Sequence, residues 1–576
     1  ADAPAQASER TLDGDGTDVG GAGEDGGVYV AVSSPGPGLV DAAVLDADGV
    51  EVERVHLASD EFPAWAVERE REHPRWVWAD TKRWYPLLLR AGVRVERCLD
   101  LRMCRLILRT AAAAAGTGLA RAPRDRWDDP AHAAPTASDA LFELAEPEPD
   151  GDPAEELRRQ RAAIAESAAP GRLTLLTAAD SVGALVAVEL EHAGLPWDAE
   201  RHDRILVELL GERVPGGRPA RMEALVAEIR AALDDPDVNP DSAPTLLKSL
   251  QRAGLRVGST SKWELREHDH PVVQPLLAYK RLARLYTANG WAWLGEWVRG
   301  GRFRPVYVPA GVVTGRWASD GGGALQLPKQ VRAAVVPDPG WKLVVADAAQ
   351  LEPRVLAAMS GAAAMARAGR AHDLYQGLVE TGAVETREQA KYGMLGAIYG
   401  GTTGESGRMR PRMERAFPRA MAFVEAAARA GEAGEVVSTW LGRTSPPGRD
   451  AVYDETRSDD ERARARSDGR AWGRFTRNFV VQGTAAEWAL CWMGALRRML
   501  WELGGGDADP RPLTERPHLV FFLHDELIVH APAELADAAA DALRAAAAEA
   551  GRILFGSAPV EFPVTVAVVD SYADAK

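Results

Sequence analysis

The sequence has little cysteine: three residues, Cys98, Cys104 and Cys491, occur among 576. Their spacing fits neither a metal-ligand motif nor a disulfide framework, which argues against a zinc-finger-type or disulfide-stapled protein. No apolar run reaches the ~18 residues that cross a membrane. The N-terminus lacks the positively charged and apolar stretches of a signal peptide. These absences predict a soluble protein of a reducing cytoplasm.

Net positive charge is also missing. The 68 Lys and Arg residues are outnumbered by 84 Asp and Glu residues, which gives a formal net charge of −16. Taken alone, this charge argues against a nucleic-acid partner, but binding to phosphates depends on a local basic stripe rather than on the total. The chain length predicts about three to five domains.

The composition changes along the chain. Residues 1–27 are rich in Gly and Asp and predict a disordered tail. A strand-like run at 28–32 opens an α/β segment that reaches about residue 140, and the Asp-, Glu-, Pro- and Ala-rich stretch 125–172 reads as a linker. Helical spacing of apolar residues dominates from 173 to 300, after which strands and helices mix.

A helix is predicted between Thr386 and Gly400. Thr386 and Gln389 fit a capping box, and Gly400 and Gly401 supply a C-terminal stop. Between them Arg387, Lys391, Leu395 and Tyr399 recur every four residues and share one face, cationic at its start and apolar-aromatic at its end. That polarity suits a nucleoside triphosphate. The alternative is a surface helix with two solvated cations, and from this helix alone it is favoured.

Three carboxylates stand at predicted strand ends. Asp347 closes the buried strand 342–347, and Asp525 and Glu526 lie at the turn of a hairpin formed by 518–523 and 527–530. If the strand and the hairpin are neighbours in one sheet, Asp347 and Asp525 can share two Mg²⁺ ions. The alternative is that these residues only cap strand ends and turns.

Arg474, Asn478 and Gln482 form a third pattern, again spaced by four. Such a row can donate hydrogen bonds into a minor groove, where every base pair shows acceptors at similar positions. The alternative is an exposed polar helix face.

These patterns occur with further segments, in one order, that resemble family A DNA polymerases of the bacterial DNA polymerase I type. Segments 347–357, 387–400 and 524–527 resemble motifs A, B and C. The other matches are Thr314-Gly315-Arg316 with Leu325-Gln326, Leu441-Gly442-Arg443, and the polar row with the residues that follow it. The resemblance covers about residues 275–576 well and the remainder more weakly.

The resemblance implies an α+β multidomain fold: a right-hand polymerase of palm, fingers and thumb behind an N-terminal RNase H-like α/β domain of the 3′–5′ exonuclease type. The expected division is 1–27 tail, 28–172 exonuclease-like domain and linker, 173–300 helical connection and thumb, 301–360 first part of the palm, 361–465 fingers, and 466–576 second part of the palm.

The resemblance also implies roles for single residues. Asp347, Asp525 and the main-chain carbonyl of Ala348 would hold two Mg²⁺ ions, which Mn²⁺ can replace, and Glu526 would support the primer end. Lys391 would act in catalysis as well as in nucleotide binding. The implied nucleotide-binding residues are Arg387, Lys391, Leu395, Tyr399, Gln350, Tyr375 and Glu352, the last filling the space of a ribose 2′-OH. The implied DNA-binding residues are Arg316, Gln326, Arg474, Asn478, Gln482 and His524.

The implied activity is template-directed addition of deoxynucleotides to a primer. The implied partners are primer–template DNA and deoxynucleoside triphosphates, with no membrane. A monomer in the bacterial cytoplasm, associated with the nucleoid, is expected.

The chain departs from the family pattern at several places. Ala348 and Ala349 follow the motif A aspartate where Tyr and Ser are usual. The other departures are Pro353 for an aliphatic residue, Leu395 for an aromatic ring, Phe522 for Gln and Tyr375 for His. No metal ligand is lost, so the departures bear on rate, sugar selectivity and fidelity rather than on the reaction.

The N-terminal half looks degenerate and resembles that of actinobacterial polymerase I-like proteins. Ser33 and Pro35 lie where an Asp and a Glu of the exonuclease are expected, and Trp84 lies where another Asp is expected, while Asp80 and Asp100 remain. We therefore expect no proofreading. Two alternatives are a non-catalytic primer–template-binding protein, which the intact motif residues disfavour, and a nuclease, which the missing carboxylates disfavour.

Overall fold

The computed structural model describes residues 28–129, 151–370, 373–401, 404–448 and 459–575. The predicted tail, 1–27, lies outside these residues. So do 130–150, which fall within the predicted linker.

The N-terminal domain is built on a five-stranded sheet. Its order is β3-β2-β1-β4-β5, with β1, β2 and β3 antiparallel and with β4 and β5 parallel to β1. The predicted N-terminal α/β segment is thus built on a mixed sheet. The strands are β1 Tyr29–Ser33, β2 Leu39–Leu45, β3 Glu51–Ala58, β4 Arg75–Trp78 and β5 Arg97–Asp100, and the helices are α1 Phe62–Glu70, α2 Thr81–Arg90, α3 Leu101–Thr110 and α4 Gly118–Arg121.

The predicted linker is wrong over its second half, because residues 153–166 form helix α5, Pro153–Glu166. Asp152 caps it by accepting from the N–H of Ala154 at 2.9 Å. Leu157 is buried against the N-terminal sheet, and Glu156 binds Arg105 in a buried ion pair at 3.0 Å. Two of the acidic residues that suggested a linker, Asp152 and Glu156, are therefore a cap and a paired charge of a packed helix.

Helix α6, Pro170–Ala193, joins the N-terminal domain to the rest. It packs against β5 and α2 on one side and against the long helix of the C-terminal part on the other. Among the described residues it is the one helix long and apolar enough to cross a membrane, yet 78% of its most apolar window is buried in the protein. Burial on several sides accounts for its apolar composition.

A helical region follows α6 and corresponds to the expected thumb. Its helices are α7 Ala199–Leu210, α8 Ala220–Leu233, α9 Ala243–Arg252, α10 Lys262–Arg266, α11 Val273–Asn289 and α12 Trp291–Trp297. Short strands pair at its base: β6 Leu195–Pro196, β7 Val298–Arg299 and β8 Arg302–Phe303 in one sheet, and β9 Tyr307–Val308 with β10 Ala318–Ser319 in another.

The palm sheet has four strands in the order β12-β13-β11-β14, each antiparallel to its neighbours. The predicted strand and the predicted hairpin are thus neighbours in one sheet. The strands are β11 Trp341–Ala348, β12 His518–Leu523, β13 Glu526–Pro532 and β14 Val564–Val569. Helices α13 Leu351–Ser360, α19 Asp459–Leu503 and α20 Ala536–Phe555 belong to the same part of the fold.

The expected fingers are helical. Their helices are α14 Ala363–Ala368, α15 Leu374–Glu380, α16 Arg387–Tyr399, α17 Gly404–Ala416 and α18 Pro418–Glu432. Helix α16 has the predicted bounds: Thr386 accepts from the N–H of Gln389 at 3.2 Å, and Gly400 ends the helix at φ 74°. The side chain of Gln389 accepts from the N–H of Glu385 rather than returning to Thr386, so the reciprocal half of the predicted capping box is wrong.

Candidate functional site

The edge of the palm sheet brings the two aspartates of motifs A and C together. Asp347, near the end of β11, pairs in register with Glu526, the first residue of β13. The N–H of Ala348 donates to the main-chain carbonyl of Asp525 at 2.9 Å. Both aspartates are partly exposed. Hydrogen bonding of the main chain therefore fixes the spacing on which a shared metal site depends.

The donor set at this edge suits Mg²⁺. Two carboxylates and a main-chain carbonyl are hard oxygen donors, and Mg²⁺ usually takes one or two protein carboxylates and completes its shell with water and substrate phosphates. Within the described residues no group of three or more His, Cys, Asp or Glu forms a complete metal site. The residues fit an ion that shares its ligands with a substrate.

Glu526 lies in a buried contact. Its carboxylate accepts from the hydroxyl of Tyr572 and lies 3.6 Å from the guanidinium of Arg332, which in turn covers the Tyr572 ring at 4.3 Å. Burial and the neighbouring carboxylate raise the pKa of Tyr572, so its hydroxyl stays a donor. In this structure Glu526 anchors the start of β13.

Helix α16 presents the predicted cationic face. Arg387, Lys391 and Tyr399 are exposed and Leu395 is half-buried. The guanidinium of Arg387 donates to Asp373 at 2.6 Å and lies 5.6 Å from the ring centroid of Tyr375. A partly exposed ion pair of this kind is weak, so a phosphate can displace Asp373.

Gln350 connects the palm to the fingers. It precedes α13 in the left-handed region, at φ 49°. Its side chain accepts from the N–H of Leu374 at 3.0 Å and donates to Asp373 at 3.3 Å. Gln350 thus holds the start of α15, beside Arg387. Pro353 lies in the first turn of α13, the place where proline is tolerated.

Four of the predicted site residues form one hydrogen-bonded chain. Glu352 accepts from the guanidinium of Arg316 through one carboxylate oxygen and from the hydroxyl of Tyr399, at 2.8 Å, through the other. The amide of Gln482 donates to the Tyr399 hydroxyl at 3.4 Å. Partial burial and the Glu352 carboxylate raise the pKa of Tyr399, which keeps its hydroxyl protonated. Residues predicted to bind DNA thus touch residues predicted to bind the nucleotide.

The polar row on α19 lies beside the end of α16. Arg474 is exposed, and a Cβ added at Gly400 would lie 3.1 Å from its side chain. The amide oxygen of Asn478 is buried and accepts no hydrogen bond from the described residues. The exposed Arg474 guanidinium is therefore the member of the row whose donors are open to a nucleic acid.

The turn that carries Arg316 also faces motif C. Partial burial and the nearby charge of Arg316 lower the pKa of His524. His524 adopts φ 60° at the hairpin turn. Gln326 is exposed at the end of a 3₁₀ helix, Ala324–Gln326. Arg316, Gln326 and His524, which are predicted to bind DNA, are therefore grouped on one side of the palm.

Sequence reasoning missed an aromatic cluster under this turn. The ring of Trp317 lies 5.0 Å from that of Phe522 and 5.4 Å from that of Tyr307. The Tyr307 hydroxyl bridges the main-chain N–H and C=O of Phe522. Phe522 stands where the family has Gln, and this departure toward an aromatic side chain was the available signal.

The N-terminal domain uses its remaining acids as helix caps. Asp80 caps α2 and accepts from the N–H of Lys82 at 2.9 Å. Asp100 caps α3 and accepts from the N–H groups of Met103 and Thr81 at 3.1 and 2.8 Å. Trp84 is 3% exposed inside the aromatic core. These contacts give both acids a structural role, although Asp100 is buried rather than at the surface.

A palm sheet with two aspartates at one edge, a fingers helix that carries cations and a long helix with a polar row define the right-hand polymerase fold. The sequence model of DNA polymerase family A matches residues 220–574. The chain therefore belongs to DNA polymerase family A.

The similarity to individual relatives is moderate. The chain is 27% identical over 341 residues to "DNA polymerase I, thermostable" of Thermus aquaticus, which covers 55% of this chain and 38% of that protein. It is 29% identical over 331 residues to "DNA polymerase I" of Chloroflexus aurantiacus, covering 52% and 32%. The matched part thus spans less than half the length of these relatives.

A solved structure confirms the fold over nearly the whole chain. It is the POL domain of Pol1 from M. smegmatis in a complex with DNA primer-template and dNTP, at a TM-score of 0.65 and 18% identity. The match covers 95% of this chain and 96% of that one. The predicted α+β right-hand fold is confirmed.

Proposed function

We propose that this chain extends a DNA primer by template-directed addition of deoxynucleotides. One observation carries the proposal: the Ala348–Asp525 hydrogen bond holds two aspartates of different motifs at one sheet edge. Glu352, which follows Asp347 in motif A, accepts from Tyr399 at the end of the cationic helix α16. Family membership and the DNA and dNTP in the M. smegmatis complex support the proposal.

Each group at the site has a task in this reaction. Asp347, Asp525 and the carbonyl of Ala348 would hold Mg²⁺, which supplies Lewis-acid stabilisation of phosphoryl transfer. Lys391 and Arg387 would neutralise the triphosphate, with Arg387 exchanging Asp373 for phosphate oxygens. The Arg474, Asn478 and Gln482 row would hold the primer–template minor groove.

Primer extension tests the proposal. A labelled primer–template is incubated with deoxynucleotides and Mg²⁺, or Mn²⁺, and the wild-type chain is expected to extend it. Asp347→Asn and Asp525→Asn should lower the rate by about 1000-fold or more, since several kcal/mol of charge stabilisation are lost, while duplex binding by fluorescence anisotropy stays within about threefold. Asp570→Asn, an exposed aspartate that pairs with Lys342 at 2.7 Å, is the matched control.

The competing function is primer–template binding without chemistry. A wild-type chain that binds duplex but extends no primer in either metal would establish that alternative. The expected absence of proofreading also belongs to this proposal and is supported by the capping roles of Asp80 and Asp100. The monomeric state and the cytoplasmic location stay predictions, which sedimentation and cell fractionation would test.

A further inference from the structure

The carboxylate of Glu352 is held from two directions. Arg316, from the turn between β9 and β10, occupies one oxygen, and Tyr399, from the end of α16, occupies the other at 2.8 Å. The Glu352 side chain is 15% exposed. A carboxylate with a partner on each oxygen and little access to water keeps a single orientation.

The two partners differ in how firmly they are fixed. The turn of Arg316 is closed by two main-chain hydrogen bonds, Gly315 to Val312 at 2.8 Å and Val312 to Arg316 at 3.1 Å. Gly315 adopts φ 85°, and an added Cβ would lie 2.5 Å from the guanidinium of Arg443, so the turn cannot shift freely. Tyr399, by contrast, is the last residue of a fingers helix and is 40% exposed.

Arg316 has hydrogen-bond donors beyond the one that contacts Glu352. A guanidinium carries five N–H donors, and the contact with Glu352 uses one nitrogen. The Arg316 side chain is 38% exposed. It can therefore hold Glu352 and donate to a minor-groove acceptor at the primer end with its remaining N–H groups.

We propose that Arg316 is a positioning residue for Glu352, so that exclusion of a ribonucleotide depends on Arg316 although this side chain belongs to the primer-binding turn. The inference rests on the proposed function. Without Arg316 the Glu352 carboxylate keeps only its hydrogen bond with Tyr399. Its orientation then depends on the fingers helix and no longer on the turn that carries Arg316. The Glu352 side chain then gains rotamer freedom, and the volume that a 2′-OH would occupy is blocked for less of the time.

The test is the ratio of kcat/KM for a deoxynucleotide to that for the matching ribonucleotide. Arg316→Ala is expected to lower this ratio by about tenfold or more. Arg316→Lys keeps a donor for Glu352 and should retain most of the discrimination while weakening primer binding. Arg408→Ala, which removes an exposed arginine paired with Glu405 on α17, should leave the ratio unchanged.

A double-mutant cycle separates positioning from independent effects. In a Glu352→Ala background the further change Arg316→Ala should not alter the ratio, because the group that it positions is gone. The melting temperatures of the same four proteins should also be non-additive, whether or not the protein polymerises. Agreement of both cycles supports the inference.

Two outcomes would refute this inference and leave the proposed function intact. One is an active Arg316→Ala protein with wild-type discrimination. The other is that the effects of the two substitutions on the kcat/KM ratio multiply independently. A wild-type chain that extends no primer overturns the proposed function, and this inference with it. The cases are distinguished by wild-type extension, which is measured first.

Discussion

Tyr307 and Phe522 are joined through the tyrosine hydroxyl, which donates to the main-chain carbonyl of Phe522 at 2.8 Å and accepts from its N–H at 3.1 Å. Phe522 lies three residues before Asp525, in a strand whose pairing with β13 shifts register between Leu519 and Phe521. Phe522 itself pairs in register with Leu527, and β12 is an edge strand of the palm sheet. The hydroxyl therefore supplies hydrogen bonds to main-chain groups of an edge strand, next to motif C.

Tyr307→Phe is expected to lower the free energy of unfolding by about 1–3 kcal/mol, because buried main-chain groups lose their partner. Primer extension should slow as well, since the strand that leads into the turn of Asp525 is held less firmly. Urea unfolding and single-nucleotide incorporation are the measurements. Tyr286→Phe, on the thumb helix α11, is the control. Equal stabilities of the Tyr307 and Tyr286 variants would contradict this account.

Arg497 on α19 ties the N-terminal domain to the palm. Its guanidinium binds both oxygens of Glu189 on α6 at 2.9 Å and the main-chain carbonyl of Glu96 at 2.6 Å, and it is 6% exposed. Arg497→Met should cost about 3–5 kcal/mol of unfolding free energy, because it removes the ion-pair partner of the buried Glu189 carboxylate, which still accepts from the Tyr85 hydroxyl. Thermal or urea unfolding measures the change.

Arg498, the next residue in the chain, is the matched control for Arg497. Arg498 pairs with Glu549 at 3.1 Å but is about half exposed, so Arg498→Met should cost at most about 1 kcal/mol. Similar losses in the two variants would show that the contact with Glu189 contributes little.

Glu487 predicts a pH effect on stability. Burial raises its pKa to about 7, although it accepts from the Thr439 hydroxyl and, at 3.0 Å, from the N–H of Leu441. The folded state then binds more protons than the unfolded state between roughly pH 4.5 and 7. The contribution of Glu487 to stability therefore falls as the pH rises through this window.

Glu487→Gln removes that titration. The difference in melting temperature, variant minus wild type, should become more positive from pH 5 to pH 8. Asp570→Asn, at an exposed site, is expected to show a flat difference. If the difference in melting temperature between Glu487→Gln and wild type did not change with pH, the wild-type Glu487 carboxylate would be ionised across the whole range.

The absence of proofreading is tested with a primer that ends in a 3′ mismatch, labelled at its 5′ end and incubated with Mg²⁺ or Mn²⁺ without nucleotides. No stepwise shortening is expected, because hydrolysis needs several converging carboxylates and Asp80 and Asp100 are occupied as helix caps. Shortening that persists in Asp347→Asn would reveal a working metal site in the N-terminal domain.

Local sequence signals anticipated much of the site. Helix α16 has the predicted bounds because its cap and its stop are local. The strand that ends near Asp347 and the hairpin around Asp525 are likewise found where their apolar runs predict them. The predicted linker was wrong over its second half because charges of α5 are paired with residues distant in the sequence, as Glu156 is with Arg105. Composition does not show such partners.

The sequence by itself determined the family, the fold class and the bounds of the motif-bearing elements, because these follow from motifs and from hydrophobic periodicity within short windows. Only the tertiary structure decided which of the motif residues touch. The Ala348–Asp525 bond joins segments 177 positions apart in the chain, and the contacts of Glu352 join a turn, a palm helix and a fingers helix. Such pairings depend on sheet register and helix packing, which no local window of sequence encodes.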